Sequence, residues 1–102
     1  MSVLSFLRPS FEKGIGRARA ENGAIVDVRT REEFVQGHIE GAVNIPLQQL
    51  PNSALPKAEK LFVYCLSGSR SAQAVSWLKS RGVEAINIGG IAGYRGKLAK
   101  GE

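Results

Sequence analysis

The chain contains one cysteine, Cys65, and the residues that follow it are of types that bind anions. In order they are Leu66, Ser67, Gly68, Ser69, Arg70 and Ser71. The arginine is permanently charged, the serines are hydroxyl donors, and the glycine permits a backbone turn that other residues resist. A thiol in such a loop is held as the thiolate, which is the form that attacks sulfur. Because the sequence has no second cysteine, any sulfur carried on Cys65 must pass to another molecule.

A purely structural role for Cys65 is the alternative, because cysteine is among the residue types most often buried in a core. The glycine and the arginine that follow it weigh against this role, since a loop that only connects two elements needs neither at these offsets. The sequence therefore predicts that Cys65 is a catalytic nucleophile.

Short apolar segments alternate with helix-like segments, which predicts an α/β fold with a parallel sheet. The predicted strands are Ala24–Val28, Ala42–Ile45, Leu61–Tyr64 and Ala85–Ile88. The predicted helices are 31–36 with Thr30 as N-cap, a turn or two within 47–54, Ser71–Arg81 and a last helix over Ile91–Leu98, with weak helical character over Phe11–Ala20. The third strand delivers Cys65 to the carboxyl edge of the sheet, where such folds bind ligands.

The backbone of the loop after this strand can itself hold an anion. Successive N–H groups between a strand and a helix turn inward to form a concave site, and the helix N-terminus adds partial positive charge. If Cys65 accepts a sulfur atom, the outer sulfur of the persulfide is anionic, and the same donors stabilise it.

Three segments in the right order resemble motifs of the rhodanese-like sulfurtransferase family. Residues 65–70 match C-x-x-G-x-R. Residues 25–47 resemble D-V-R, E-F and G-H-I-x-G-A in succession, continued by Asn-Ile-Pro-Leu, and residues 87–94 resemble L-x-G-G-[IF]-x-x-[WY]. The resemblance implies a five-stranded parallel sheet flanked by helices on both faces. It also implies that Cys65 takes sulfane sulfur from a donor such as thiosulfate and passes it to cyanide, to a small thiol or to a protein acceptor.

The same resemblance assigns roles within the loop. The segment formed by Leu66, Ser67, Gly68, Ser69 and Arg70 is expected to cradle the outer sulfur, with Arg70 helping to bind the anionic donor. Ser71 and Asp27 are candidates for supporting the loop; for Asp27 a bracing hydrogen bond and a simple strand cap both stay open.

Two further side chains of the first motif segment could be mistaken for catalytic groups. Arg29 is predicted to pair with Glu32 or Glu33 across the first helical turn, and His38 to make a hydrogen bond within a turn. A single histidine and a single cysteine cannot supply the three or four ligands of a zinc site, so no metal and no cofactor are expected.

Composition limits the other functions. The 102 residues suit one domain, in which 1–22 is an N-terminal strand or helix segment of uncertain packing and 23–102 is the remainder. The net charge of +5 is spread without interleaved aromatic residues, so we expect no nucleic-acid partner. No apolar run reaches the roughly 20 residues that span a bilayer, and Met1–Ser10 lacks the pattern of a signal peptide. We therefore expect a cytoplasmic monomer that does not bind membranes.

Two rival functions share the features of the loop. A cysteine-dependent phosphatase or arsenate reductase has five residues between its cysteine and its arginine, whereas four stand between Cys65 and Arg70. The smaller ring suits one sulfur atom better than a tetrahedral oxyanion. The other rival is a persulfide carrier or partner-binding module without turnover, which needs the same cysteine, and the sequence does not separate it from an enzyme. Leu66 makes the loop less cationic, which argues against efficient use of doubly charged thiosulfate.

Overall fold

The computed structural model describes the backbone of residues 3–102 and the side chains of residues 10–102. Three α-helices and one 3-10 helix are present in this part: α1 (Val3–Ala20), α2 (Arg31–Gln36), the 3-10 helix (Leu47–Asn52) and α3 (Ser69–Ser80). The strands are β1 (Ala24–Asp27), β2 (Val43–Asn44), β3 (Lys60–Cys65) and β4 (Glu84–Gly90). The expectation that Met1–Ser10 is not a signal peptide concerns residues that, apart from Ser10, lie outside the part of the chain whose side chains the structure describes.

The four strands form one parallel sheet in the order β2-β1-β3-β4. Because all strands run the same way, their carboxyl ends meet at one edge, and Cys65 is the last residue of β3 at that edge. The expected parallel α/β architecture is confirmed. The expectation of five strands is wrong for the described residues, because the segment before β1 folds into α1 and lies against the sheet instead of extending it.

Helices cover both faces of the sheet, as expected. Successive side chains of β3 point to opposite faces. Val63 and Cys65 lie in a core with α3 and the 3-10 helix, while Phe62 and Tyr64 lie in a second core with α1. This second core explains how the N-terminal segment packs, since Phe11 and two other apolar side chains of α1 are buried in it.

Local signals located the short helix α2 correctly. Thr30 is its N-cap: the Thr30 hydroxyl accepts a hydrogen bond from the backbone of Glu33, and the Glu33 carboxylate accepts one from the backbone of Thr30. This reciprocal pair satisfies two N–H groups that the first turn would otherwise leave free.

The predicted final helix over Ile91–Leu98 is wrong, because this segment forms a turn and then irregular chain with a bend at Gly96. Ile91 and Ala92 donate their backbone N–H groups to the carbonyls of Cys65 and Leu66 at 2.9 and 3.0 Å, so their hydrogen bonds go to the loop instead of to a helix. Gly93 then has a φ of +81°, which ends any helical path. Among the described helices, none is both long and apolar enough to cross a membrane.

Candidate functional site

The loop that follows β3 turns sharply into α3. Gly68 stands directly before the helix with a φ of +105°, in the left-handed region that side chains resist. The helix begins at Ser69, two residues earlier than the sequence predicts, so Arg70 and Ser71 belong to its first turn. This turn brings the backbone of α3 back over the end of β3.

The Cys65 sulfur lies inside this turn and is fully buried. Gly68 donates its backbone N–H to Cys65 Sγ at 3.0 Å, and Ser71 donates its own at 3.4 Å. The Ser71 Oγ is also 3.4 Å from Cys65 Sγ. Burial opposes ionisation of the thiol, but hydrogen bonds from Ser71, Gly68 and the Ser67 backbone outweigh it and hold the pKa of Cys65 below its usual value. The loop therefore favours a thiolate.

The three serines of the loop are not equivalent. Ser71 is fully buried at the sulfur, whereas Ser67 and Ser69 are exposed, as is Leu66. Only Ser71, among these hydroxyls, makes a side-chain contact with Cys65 Sγ in the described structure. The role of Ser71 in supporting the loop stays a prediction.

The loop rests on the end of β4, which sequence reasoning did not identify as part of the site. The carbonyl of Leu66 lies so close to Gly90 that a Cβ there would be 2.2 Å from its oxygen. Such a contact is far inside van der Waals distance, so only glycine fits at this position. The Gly89–Gly90 pair, which directly follows the last predicted strand, was the available signal in the sequence.

Arg70 is held by a carboxylate from α2. Its guanidinium donates to both Glu33 oxygens, at 2.8 and 3.1 Å, in the fork geometry that such pairs favour. These bonds and those from Thr30 lower the pKa of Glu33 to about 2. The guanidinium expected to bind a donor is thus already paired, and from the sequence Glu33 was considered as a partner of Arg29 and not of Arg70.

A second ion pair closes the end of β1. The Arg29 guanidinium binds the Asp27 carboxylate at 2.7 Å and the Gly37 carbonyl at 2.8 Å, with both side chains buried. The predicted pairing of Arg29 with Glu32 or Glu33 is wrong, because burial of Arg29 beside Asp27 favours the nearer carboxylate. Asp27 also accepts from the backbone of Arg29, and it makes no hydrogen bond to loop residues 66–71 within the described chain.

His38 has the predicted turn contact. Its Nδ1 is 2.7 Å from the Phe34 carbonyl, and its ring stacks on Phe34 with the centroids 3.6 Å apart. No group of three or more His, Cys, Asp or Glu side chains in the described part of the chain could hold a metal ion.

A groove of about 690 Å³ opens beside the loop, between the start of the described α1 side chains and the segment after β4. Its walls include Phe11 and Tyr94, which touch edge to face, and the exposed face of Leu66. Glu12 and Arg95 add one charge of each sign. This groove is large enough for a small organic molecule.

The fold and the loop together define a class: a parallel α/β domain with a buried thiol at a strand end, surrounded by backbone N–H donors. The model of the rhodanese-like domain family matches residues 10–97, and the chain belongs to that family. It is 37% identical over 81 residues to a sulfurtransferase of Allochromatium vinosum, covering 76% of each chain.

Two further likenesses agree with this membership. The chain is 38% identical over 71 residues to the thiosulfate sulfurtransferase PspE of Escherichia coli, covering 65% of this chain and 68% of that one. The crystal structure of a rhodanese-like domain protein from Staphylococcus aureus superposes with a TM-score of 0.74 at 33% identity, covering 86% and 92% of the two chains. Relatives named as sulfurtransferases support sulfur transfer as the general activity.

Proposed function

We propose that this protein is a sulfurtransferase that carries sulfane sulfur as a persulfide on Cys65. The observation that carries the proposal is the buried Cys65 sulfur, which accepts N–H groups from Gly68 and Ser71 in a loop between β3 and α3. These N–H donors suit an anionic sulfur. The loop has only four residues between Cys65 and Arg70, and this small ring suits one sulfur atom better than a tetrahedral oxyanion.

The reaction has two displacement steps. In the first, the Cys65 thiolate attacks the outer sulfur of thiosulfate; an S–S bond forms, and sulfite leaves with the electron pair of the broken bond. In the second, cyanide or a thiolate attacks the outer sulfur of the persulfide, and thiocyanate or a new persulfide leaves while the Cys65 thiolate is restored. No external oxidant or reductant is needed, and the charges balance in both steps.

The loop backbone would stabilise the anion on which both steps depend. The charge resides on Cys65 Sγ before the first step and on the outer sulfur after it. The N–H groups of Gly68 and Ser71 are fixed in direction by the Gly68 turn and by α3, so they need no rearrangement as the charge moves outward by one bond. Because the thiol is fully buried, the residues that cover it must shift to admit the donor.

The Glu33–Arg70 pair bears on the choice of donor. Glu33 neutralises the charge that would attract a dianion, and Leu66 adds none. We therefore propose that the natural donor carries less charge than thiosulfate, as an organic persulfide does, with thiosulfate serving as an assay substrate. The same observation favours the second candidate function, a persulfide carrier that exchanges sulfur with proteins and turns thiosulfate over slowly.

The activity is tested by mixing the protein with thiosulfate and cyanide and measuring thiocyanate. We expect catalytic release by the wild type and none above background by Cys65→Ser. If the serine variant released thiocyanate at the wild-type rate, the proposed function would be wrong. Burst release of one equivalent per protein, followed by slow turnover, would favour the carrier.

A further inference from the structure

The Ser71 hydroxyl has one proton and several neighbours that compete for it. Its Oγ lies 2.8 Å from Asn87 Oδ1, 3.1 Å from the Gly68 carbonyl and 3.4 Å from Cys65 Sγ. A hydroxyl donates one hydrogen bond at a time. Which neighbour receives this proton decides whether Ser71 presents a proton or a lone pair to the thiol.

The amide of Asn87 has a fixed orientation. Its Nδ2 donates to the Gly68 carbonyl at 3.1 Å, and its Oδ1 accepts the backbone N–H of Gly89 at 2.9 Å. Exchanging the two atoms would place donor against donor and acceptor against acceptor, so the network assigns the amide. Oδ1 cannot donate, and the 2.8 Å contact therefore requires the Ser71 hydroxyl to donate to it.

The backbone of β4 explains why Asn87 reaches the loop. The pairing with β3 runs from Val63 opposite Asn87 directly to Tyr64 opposite Gly89, so β4 has one extra residue here. Such a bulge bends the strand and redirects a side chain. The bulge places the N–H of Gly89 against Asn87 Oδ1, and Asn87 Nδ2 reaches the Gly68 carbonyl in the loop.

We propose that Asn87 is a positioning residue for Cys65: by holding the proton of Ser71, it turns the serine lone pairs toward the thiol and restrains ionisation. As long as Cys65 is protonated, its S–H donates to Ser71 Oγ. When the thiol ionises, the hydroxyl must turn to the sulfur and give up its bond to Asn87. The proposal rests on the proposed function only in taking Cys65 as the reacting group.

The charged groups around the loop are already paired. Arg70 from α3 interacts electrostatically with Cys65 and binds Glu33 of α2, and Arg29 binds Asp27 at the end of β1. The substitutions at Ser71 and Asn87 described next alter none of these four charges. One of them, Asn87→Asp, is chosen to add a fifth.

The test is the pKa of the Cys65 thiol, measured from the rate of alkylation by iodoacetamide against pH, which requires no sulfur transfer. We expect Asn87→Ala to lower this pKa by about half a unit, because the freed hydroxyl donates to the thiolate in preference to the neutral Gly68 carbonyl. Asn87 is exposed, so the substitution should leave the fold intact, which thermal unfolding checks.

A double-mutant cycle separates positioning from a general loosening of the loop. In a Ser71→Ala background, Asn87→Ala should leave the thiol pKa unchanged, because the hydroxyl that it acts through is gone. Asn87→Asp adds a negative charge and should raise the thiol pKa in both backgrounds. The proposal is overturned if Asn87→Ala raises the pKa or leaves it unchanged, or if its effect is the same with and without Ser71. These outcomes are independent of whether the protein transfers sulfur.

Discussion

The ends of β1 and β3 lie side by side at the carboxyl edge of the sheet, and they use similar residues differently. At the end of β1, Asp27 and Arg29 neutralise each other within three residues and are buried. At the end of β3, Cys65 has no charged side chain in direct contact among residues 10–102. Its neighbour Arg70 is neutralised by Glu33 of another helix, with both side chains about 30% exposed. At the β1 end the charged groups pair with each other, whereas at the β3 end backbone N–H groups of the following loop donate to the Cys65 sulfur.

This difference suggests separate purposes. A buried pair costs much desolvation and tolerates no loss of one partner, so it fixes structure. A pair at the surface contributes little to stability and can be altered with little structural cost. We therefore propose that the β1 end supports the fold and that the β3 end serves the chemistry of Cys65.

The largest effect is expected from breaking the β1 pair. Asp27→Asn leaves the buried Arg29 without its counter-charge and should lower the free energy of unfolding by about 3–5 kcal/mol. Urea unfolding followed by circular dichroism measures it. The matched change at the other end, Glu33→Gln, should cost less than about 1 kcal/mol. Equal losses for the two variants would contradict the comparison.

A smaller effect is expected where β4 supports the loop. Gly90→Ala places a Cβ against the Leu66 carbonyl, so the loop must shift and the rate of thiocyanate release should fall about 10- to 100-fold. Gly16→Ala is the control, because a Cβ there meets nothing within 4 Å. That variant should keep full activity and gain up to about 1 kcal/mol of stability, since alanine favours a helix more than glycine does. An active Gly90→Ala variant would show that the loop does not depend on this contact.

Releasing Arg70 should change donor preference. With Glu33→Gln, the guanidinium is free to attract an anion, and the KM for thiosulfate should fall about fivefold, as expected for one additional partly screened charge. An uncharged organic trisulfide used as donor should show no change in KM. A rise in the thiosulfate KM, or the same change for both donors, would mean that Glu33 acts by holding the loop in shape.

The smallest effect is expected in the dependence of persulfide formation on pH. The rate should show one titration step, which is that of Cys65. The lowered thiol pKa keeps the thiolate populated below the pH at which free cysteine ionises, and persulfide formation should decline as the pH falls through it. Because this folded-state pKa is below the unfolded one, its contribution to stability is complete above the unfolded value and is lost on acidification. Glu33, with a pKa of about 2, should add no step between pH 4 and 9. A second step in that range for the wild type, absent in Glu33→Gln, would contradict this.

Local patterns predicted those parts of the molecule that depend on neighbours in sequence. The apolar run 61–64 placed Cys65 at a strand end, and the Thr30 and Glu33 pattern located α2. The wrong or missed features depend on distant partners. Residues 91–98 have a helix-like pattern, but the N–H groups of Ile91 and Ala92 bond to the loop after β3. Arg29 has carboxylates on both sides in sequence, and its burial beside Asp27 decides the pairing.

The number of strands shows the same limit. The sequence itself indicated four, and the resemblance raised the expectation to five. The N-terminal segment forms a helix on the sheet because Phe11 and Ile15 pack against side chains of β3 and β4. Local sequence patterns do not predict such long-range contacts. The contacts of Asn87 are equally invisible in sequence, because they depend on a one-residue bulge in β4.

The most direct test of the central claim is the intact mass of the protein after incubation with thiosulfate and removal of excess reagent. The account predicts a gain of one sulfur atom on the wild type, its loss on treatment with cyanide, and no gain on Cys65→Ser. A wild-type protein that keeps its unmodified mass with both thiosulfate and an organic persulfide, while its thiol still reacts with iodoacetamide, would contradict the account.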